Sequence, residues 1–144
     1  MTSSFQSYKK QVAGMRGTVV DGAKKTIFIY SPDLNFCFSL SMLFQDRYNV
    51  VTTTNPGMLE SSVGEYSADL VIIDAIPSDA LVHRLEELKA RQKALPIIML
   101  YVFSPKTMVL EGAMRRHVDA VFYKPFETDA MSKRISELLP PGRG

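Results

Sequence analysis

The run Leu70-Val71-Ile72-Ile73-Asp74 decides the fold that the sequence predicts. Four consecutive apolar residues without alternation are typical of a strand that is buried on both faces, as in a parallel sheet. Asp74 then falls at the carboxyl end of that strand, which is the edge where open α/β sheets place their functional sites.

Similar runs occur along the rest of the chain. Three are strongly apolar and one, residues 50–54, is β-branched and typical of a strand nearer an edge. Helical patterns separate the runs, so strand and helix alternate five times, which predicts an α/β fold with a doubly wound parallel sheet and right-handed crossovers. The apolar runs are Lys25–Tyr30, Leu95–Tyr101 and Ala120–Tyr123.

Proline and cap residues predict where several helices begin. Ser31-Pro32-Asp33 and Ser104-Pro105 each combine a serine cap with proline in the first helical turn, and Thr128 is the predicted cap of the last helix. Apolar spacing predicts the buried faces. For the first helix these residues are Leu34, Cys37, Leu40, Phe44 and Leu43, and for the fourth they are Met108, Val109, Ala113 and Met114.

Composition and length predict one globular domain. The chain has 144 residues, a net charge of +2 and one cysteine, Cys37, which excludes an internal disulfide. So small a charge does not argue for a nucleic-acid or membrane partner, and no basic recognition helix is visible. With no apolar span near 20 residues and no signal-peptide core, we expect a cytoplasmic protein. We divide the chain into an extension (1–25), a domain (26–139) and a tail (140–144).

The extension carries a short apolar stripe of its own. Phe5, Tyr8, Val12 and Met15 recur at intervals of three, four and three residues, which predicts one face of a helix. Two interpretations remain open, a leader that is flexible or packs on itself, and a helix that docks onto a partner or forms a dimer.

A second motif closes the last strand. Lys124-Pro125-Phe126 follows it directly, as Asp74 follows the third strand. With this order of elements, residues 25–139 resemble the receiver domain of two-component response regulators. The resemblance implies a flavodoxin-like, five-stranded sheet in the order 2-1-3-4-5. It also makes Asp74 the equivalent of the phosphoacceptor, Lys124 the equivalent of the lysine that pairs with phosphate, and Pro125 a cis-proline candidate.

The resemblance also shows what this sequence lacks. Typical receivers hold magnesium with an acidic pair after the first strand, where this chain has Ser31 and Pro32, and neither offers a carboxylate. The threonine or serine that binds the phosphoryl group is replaced by Tyr101, and the aromatic switch by Val121. We therefore interpret the chain as a pseudo-receiver, a signalling module that is not an enzyme, needs no cofactor and acts by binding protein.

The partners predicted are a histidine kinase, an output protein or a second copy of the chain. The expected surface is formed by the fourth helix, fifth strand and fifth helix. The alternative interpretation is a response regulator that accepts phosphate on Asp74 from a histidine kinase, with Asp33 and Asp79 recruiting Mg²⁺. The polar and charged residues on the expected surface are Lys106, Glu111, Arg115, Tyr123, Lys133 and Arg134.

Overall fold

A computed structural model describes residues 24–139, which form two compact units that are divided after Asp69. None of the helices in this range combines the length and apolar character that a membrane crossing requires. The first unit contains β1 (Thr26–Tyr30), α1 (Leu34–Phe44), β2 (Asn49–Thr53), a 3-10 helix (Pro56–Met58) and α2 (Leu59–Glu65). The second contains β3 (Leu70–Asp74), α3 (Asp79–Arg91), β4 (Ile97–Tyr101), α4 (Pro105–Arg115), β5 (Ala120–Tyr123) and α5 (Thr128–Leu138).

The strands form one five-stranded parallel sheet in the order β2-β1-β3-β4-β5. Every residue of β1, β3 and β4 is buried, whereas β5 at one edge is only partly buried. The unbroken apolar runs are explained by this burial, since strands inside the sheet have no solvent face. The predicted fold class and strand order are confirmed. The extension, with its Phe5–Met15 stripe, and the tail lie outside the described residues apart from Lys24 and Lys25.

Helix α1 differs from the prediction at its start and along its face. Asp33, not Ser31, is the N-cap: its Oδ1 accepts hydrogen bonds from the backbone of Asn35 at 2.9 Å and Phe36 at 3.3 Å. Ser31 is fully buried, and its Oγ accepts the Asp33 amide at 3.0 Å. Cys37, Leu40 and Phe44 are buried as predicted, but Leu34 and Leu43 are exposed. The sequence prediction was wrong there because the helix is apolar nearly all round, so spacing does not single out one face.

Helix α4 begins as predicted but turns a different face inward. Ser104 caps it, and Thr107 completes a capping box. Thr107 and Met114 are the buried residues, whereas Met108 and Val109, which were predicted to be buried, are exposed. The Thr107 hydroxyl is satisfied in this buried position because it donates to the Ser104 carbonyl at 2.8 Å. A capping threonine therefore occupies the inner face that apolar spacing assigned to its neighbours.

The cap of the last helix was also predicted incorrectly. Helix α5 includes Thr128 as its first residue, and Glu127 precedes it without a side-chain capping bond. Met131 and Ile135 on its inner side are fully buried.

The cap of α1 gives a test of this description. Asp33→Ala should lower the free energy of unfolding by about 1 kcal/mol, because two amides at the helix start lose their acceptor. Asp33→Asn keeps a side-chain oxygen there and should retain most of the stability. Urea denaturation of the three proteins measures the difference. Equal losses in both variants would show that charge, not capping, is what Asp33 contributes.

Candidate functional site

Asp74 and Lys124 lie together at the carboxyl edge of β3, β4 and β5. Lys124 Nζ donates to Asp74 Oδ1 at 2.9 Å, and the two side chains are 31% and 9% exposed. The parallel register brings them there, because Asp74 pairs with Leu100 on β4 and the Lys124 amide donates to the Tyr101 carbonyl at 2.9 Å. The Lys124–Pro125 peptide bond is cis, the isomer that the resemblance implied for Pro125.

Tyr101, at the end of β4, is buried and hydrogen-bonded to a residue of α4. Its side chain is only 2% exposed, and its hydroxyl donates to Glu111 Oε2. The Tyr123 ring on β5 packs edge-on against it, with 5.6 Å between ring centroids. This geometry is favourable for aromatic pairs because the positive edge of one ring meets the negative face of the other.

Glu111 accepts two tyrosine hydroxyls on one carboxylate oxygen. Tyr123 Oη donates to Oε2 at 2.6 Å, alongside the bond from Tyr101. Arg115 donates to Tyr123 Oη at 3.3 Å, and its Nε lies 3.8 Å from Glu111 Oε1. We call Tyr101, Glu111, Arg115 and Tyr123 the Glu111 cluster. It joins α4 to the ends of β4 and β5.

The cluster changes the acidity of its members. Burial and the bond to Glu111 raise the pKa of Tyr101 well above its usual range. The bonds from Tyr101 and then Tyr123 lower the pKa of Glu111, and Arg115 adds a smaller effect in the same direction. The tyrosine therefore stays a neutral donor and the carboxylate stays charged near neutral pH, which favours the bond between them.

The remaining predicted positions are placed as follows. Val121 lies on β5 opposite Met99 and is half-buried. Ser31 and Pro32 follow β1 in the first unit, where Ser31 is buried and Pro32 is exposed. Within residues 24–139, no group of three or more His, Cys, Asp or Glu side chains is arranged to hold a metal ion.

Comparison of the coordinates with solved structures finds receiver domains. The chemotaxis protein CheY4 of Vibrio cholerae matches with a TM-score of 0.67 and 19% identity, over 81% of this chain and 100% of that one. A two-component response regulator of Clostridium difficile matches with a TM-score of 0.69 and 16% identity, over 81% and 96%. The chain has the receiver-domain fold. Another structure with this receiver-like fold is a pilus assembly-related protein of Burkholderia pseudomallei (TM-score 0.69, 22% identity, 88% and 98% covered).

The sequence itself matches no protein-family model and none of the curated proteins with which it was compared. Identities of 16–22% to these receiver structures therefore describe the fold. The function of this chain depends on its own side chains.

The bonds of Glu111 to the two tyrosines were not predicted from the sequence, which placed Glu111 on the expected partner-binding surface. Its side chain is only 14% exposed. The available signals were its i, i+4 spacing to Arg115 and the two tyrosines that end neighbouring strands, since such strands place their last residues side by side.

Replacing Glu111 tests the cluster. Glu111→Gln keeps the size of the side chain but removes the charge, and should lower the free energy of unfolding by about 1.5–3 kcal/mol at pH 7, the range for hydrogen bonds to charged groups. Because its folded pKa is lowered from 4.5, this contribution is present above pH 4.5 and is lost as pH falls through the folded value. The difference between wild type and variant should therefore narrow in acid.

Glu137→Gln is the matched control, because Glu137 pairs with Arg134 on an exposed part of α5. Surface pairs of this kind contribute about 0–1 kcal/mol. Denaturation curves from pH 3 to pH 7 compare the two variants. A loss at Glu111 no larger than that at Glu137, or one independent of pH, would contradict the assigned role.

Proposed function

We propose that the chain is a receiver-fold signalling module that binds another protein and does not accept phosphate on Asp74. The observation that carries this proposal is the state of Tyr101. At the position where receivers present a small hydroxyl to the phosphoryl group, this chain buries a tyrosine whose hydroxyl donates to Glu111. The hydroxyl at the position that would hydrogen-bond a phosphoryl group is thus bonded to Glu111 instead.

The donor set after β1 does not suit magnesium. A divalent hard cation is held by carboxylates and other oxygens, and it offsets the repulsion between an aspartate and a phosphoryl group. Ser31 and Pro32 supply no carboxylate, and the Ser31 hydroxyl accepts the Asp33 amide. The Asp33 carboxylate, which the alternative interpretation needs, caps α1. No step of the proposed function involves a metal.

Asp74 and Lys124 have a structural role on this account. Their ion pair at 2.9 Å is partly buried, and loss of one partner would leave the other charge without this compensation. The presence of this ion pair can therefore be explained without phosphate binding. The same ion pair also favours the second candidate, a phosphorylatable receiver with an altered metal site, so the first experiment below separates the two candidates.

The sequence predicts a contact surface on α4, β5 and α5, and we propose that its α4 and β5 parts, with the loop between β4 and α4, bind the partner. Large apolar side chains are exposed there although charged residues would be the ordinary choice. Such groups indicate a protein-binding surface. A signalling protein, whether a kinase or an output protein, is the proposed partner, and a second copy is the alternative outcome. The exposed residues are Val102 (63%), Phe103 (45%), Met108 (55%), Val109 (84%) and Tyr123 (37%).

Exposure to a small phosphodonor separates the two candidates. Incubation with acetyl phosphate and magnesium should add no phosphate to the intact protein, as measured by mass spectrometry. A receiver domain that is labelled under the same conditions is the positive control. An added phosphate that disappears in Asp74→Asn would establish the second candidate and refute the first.

Partner binding is tested by adding charge to the exposed surface. Val109→Glu should abolish recovery of the partner when the tagged full chain is cross-linked in its source cells, because a carboxylate replaces the most exposed apolar side chain of α4. Ala90→Glu adds the same charge to an exposed position on α3 and should leave recovery unchanged. Loss in both variants, or in neither, would place the contact elsewhere.

A further inference from the structure

Helix α1 leaves a stripe of large apolar side chains exposed. Leu34, Phe38 and Met42 are 68%, 65% and 55% exposed, and their spacing of four residues places them along one side of the helix. The side chains that pack inward, Cys37 and Leu40 among them, lie on a different side. We call Leu34, Phe38 and Met42 the α1 stripe.

The whole helix carries no charge. Between Leu34 and Phe44 the polar residues are Asn35, Ser39 and Ser41, and the other eight are apolar. A helix at a protein surface ordinarily has a charged outer face, whereas one that is apolar nearly all round is covered by other structure. The α1 stripe is therefore expected to have a cover.

Lys24, which precedes β1, lies near the carboxyl end of α1. Lys24 Nζ donates to the Gln45 carbonyl at 3.5 Å, and the Asn49 side chain donates to the Lys24 carbonyl at 3.3 Å. Gln45 follows the last turn of α1, three residues after Met42. The described chain thus begins close to the end of α1 where the stripe finishes.

Sequence and length make residues 1–23 a suitable cover. A helix from Phe5 to Met15 would be about 15 Å long and the α1 stripe is about 12 Å long, at 1.5 Å per residue. The connecting residues 16–23 can span up to about 26 Å, which is enough to turn back onto α1. The apolar positions are spaced by three and four residues, so they would present one face to the stripe.

We propose that residues 5–15 cover the α1 stripe within the same chain, with Phe5, Tyr8, Val12 and Met15 packed against it. Lys9 and Lys10, which lie off this face, stay in water. The proposal does not depend on the proposed function, because it concerns another helix and does not need Asp74; α4 enters only through Met108, the exposed reference in the test below.

The test compares two methionine methyl groups in the full chain by NMR. Met42 and Met108 are both 55% exposed on helices, so a soluble nitroxide should broaden their signals equally if nothing covers α1. We expect weaker broadening of Met42 in the wild type. In Tyr8→Ser/Val12→Ser, which removes the middle of the covering face, broadening of Met42 should rise to the level of Met108.

Lys9→Ser/Lys10→Ser is the matched control and should leave Met42 protected. Substitutions Met42→Leu and Met108→Leu assign the signals, and the amide spectrum of β3 and β4 checks that each variant is folded. Equal broadening in the wild type would overturn the proposal, as would protection that survives Tyr8→Ser/Val12→Ser. Protection that is lost on dilution, together with a dimer-to-monomer change in sedimentation, would identify a second copy as the cover and overturn it too.

Discussion

The carboxylate of Glu111 joins α4 to the carboxyl edge of the strands in the second unit. By accepting the hydroxyls of Tyr101 and Tyr123 it ties α4 to the ends of two strands. A buried tyrosine needs a partner for its hydroxyl, because an unpaired polar group inside a protein costs about 1–3 kcal/mol. A tyrosine that is buried at the end of β4 therefore needs a hydrogen-bond acceptor within the fold. Because the Tyr101 hydroxyl donates to Glu111, it is not available to a ligand.

The ion pair at this edge is also satisfied within the protein. Asp74 and Lys124 keep the charges that receivers use for phosphate, yet here the two charges neutralise each other at 2.9 Å. The adjoining helix turns Thr107 and Met114 inward and leaves Met108 and Val109 in solvent. The charged and polar side chains of this edge thus bond to one another while apolar side chains are exposed, a distribution that supports the proposed protein-binding role.

The strands and their order in the sheet were easier to predict from this sequence than the side of each helix that is buried. The buried strands are visible as unbroken apolar runs, because burial on both faces leaves no room for polar residues, and their order follows from the resemblance. The inner faces of α1 and α4 were partly mispredicted, since Leu34 and Met108 are as apolar as the residues that are buried. The pairing of Asp74 with Lys124 follows from strand ends that meet at one edge. The role of Glu111 depends on how α4 is rotated, which spacing alone does not determine.

The central claim is that the edge of β3, β4 and β5 does not hold a phosphoryl group because Tyr101 is committed to Glu111. Beryllium fluoride, a small anion that imitates a phosphorylated aspartate, tests it most directly when added with magnesium to the ¹⁵N-labelled chain. The account predicts no saturable shift in the amides of Ala75, Tyr101 and Val102. Saturable shifts at these residues that disappear in Asp74→Asn would contradict it.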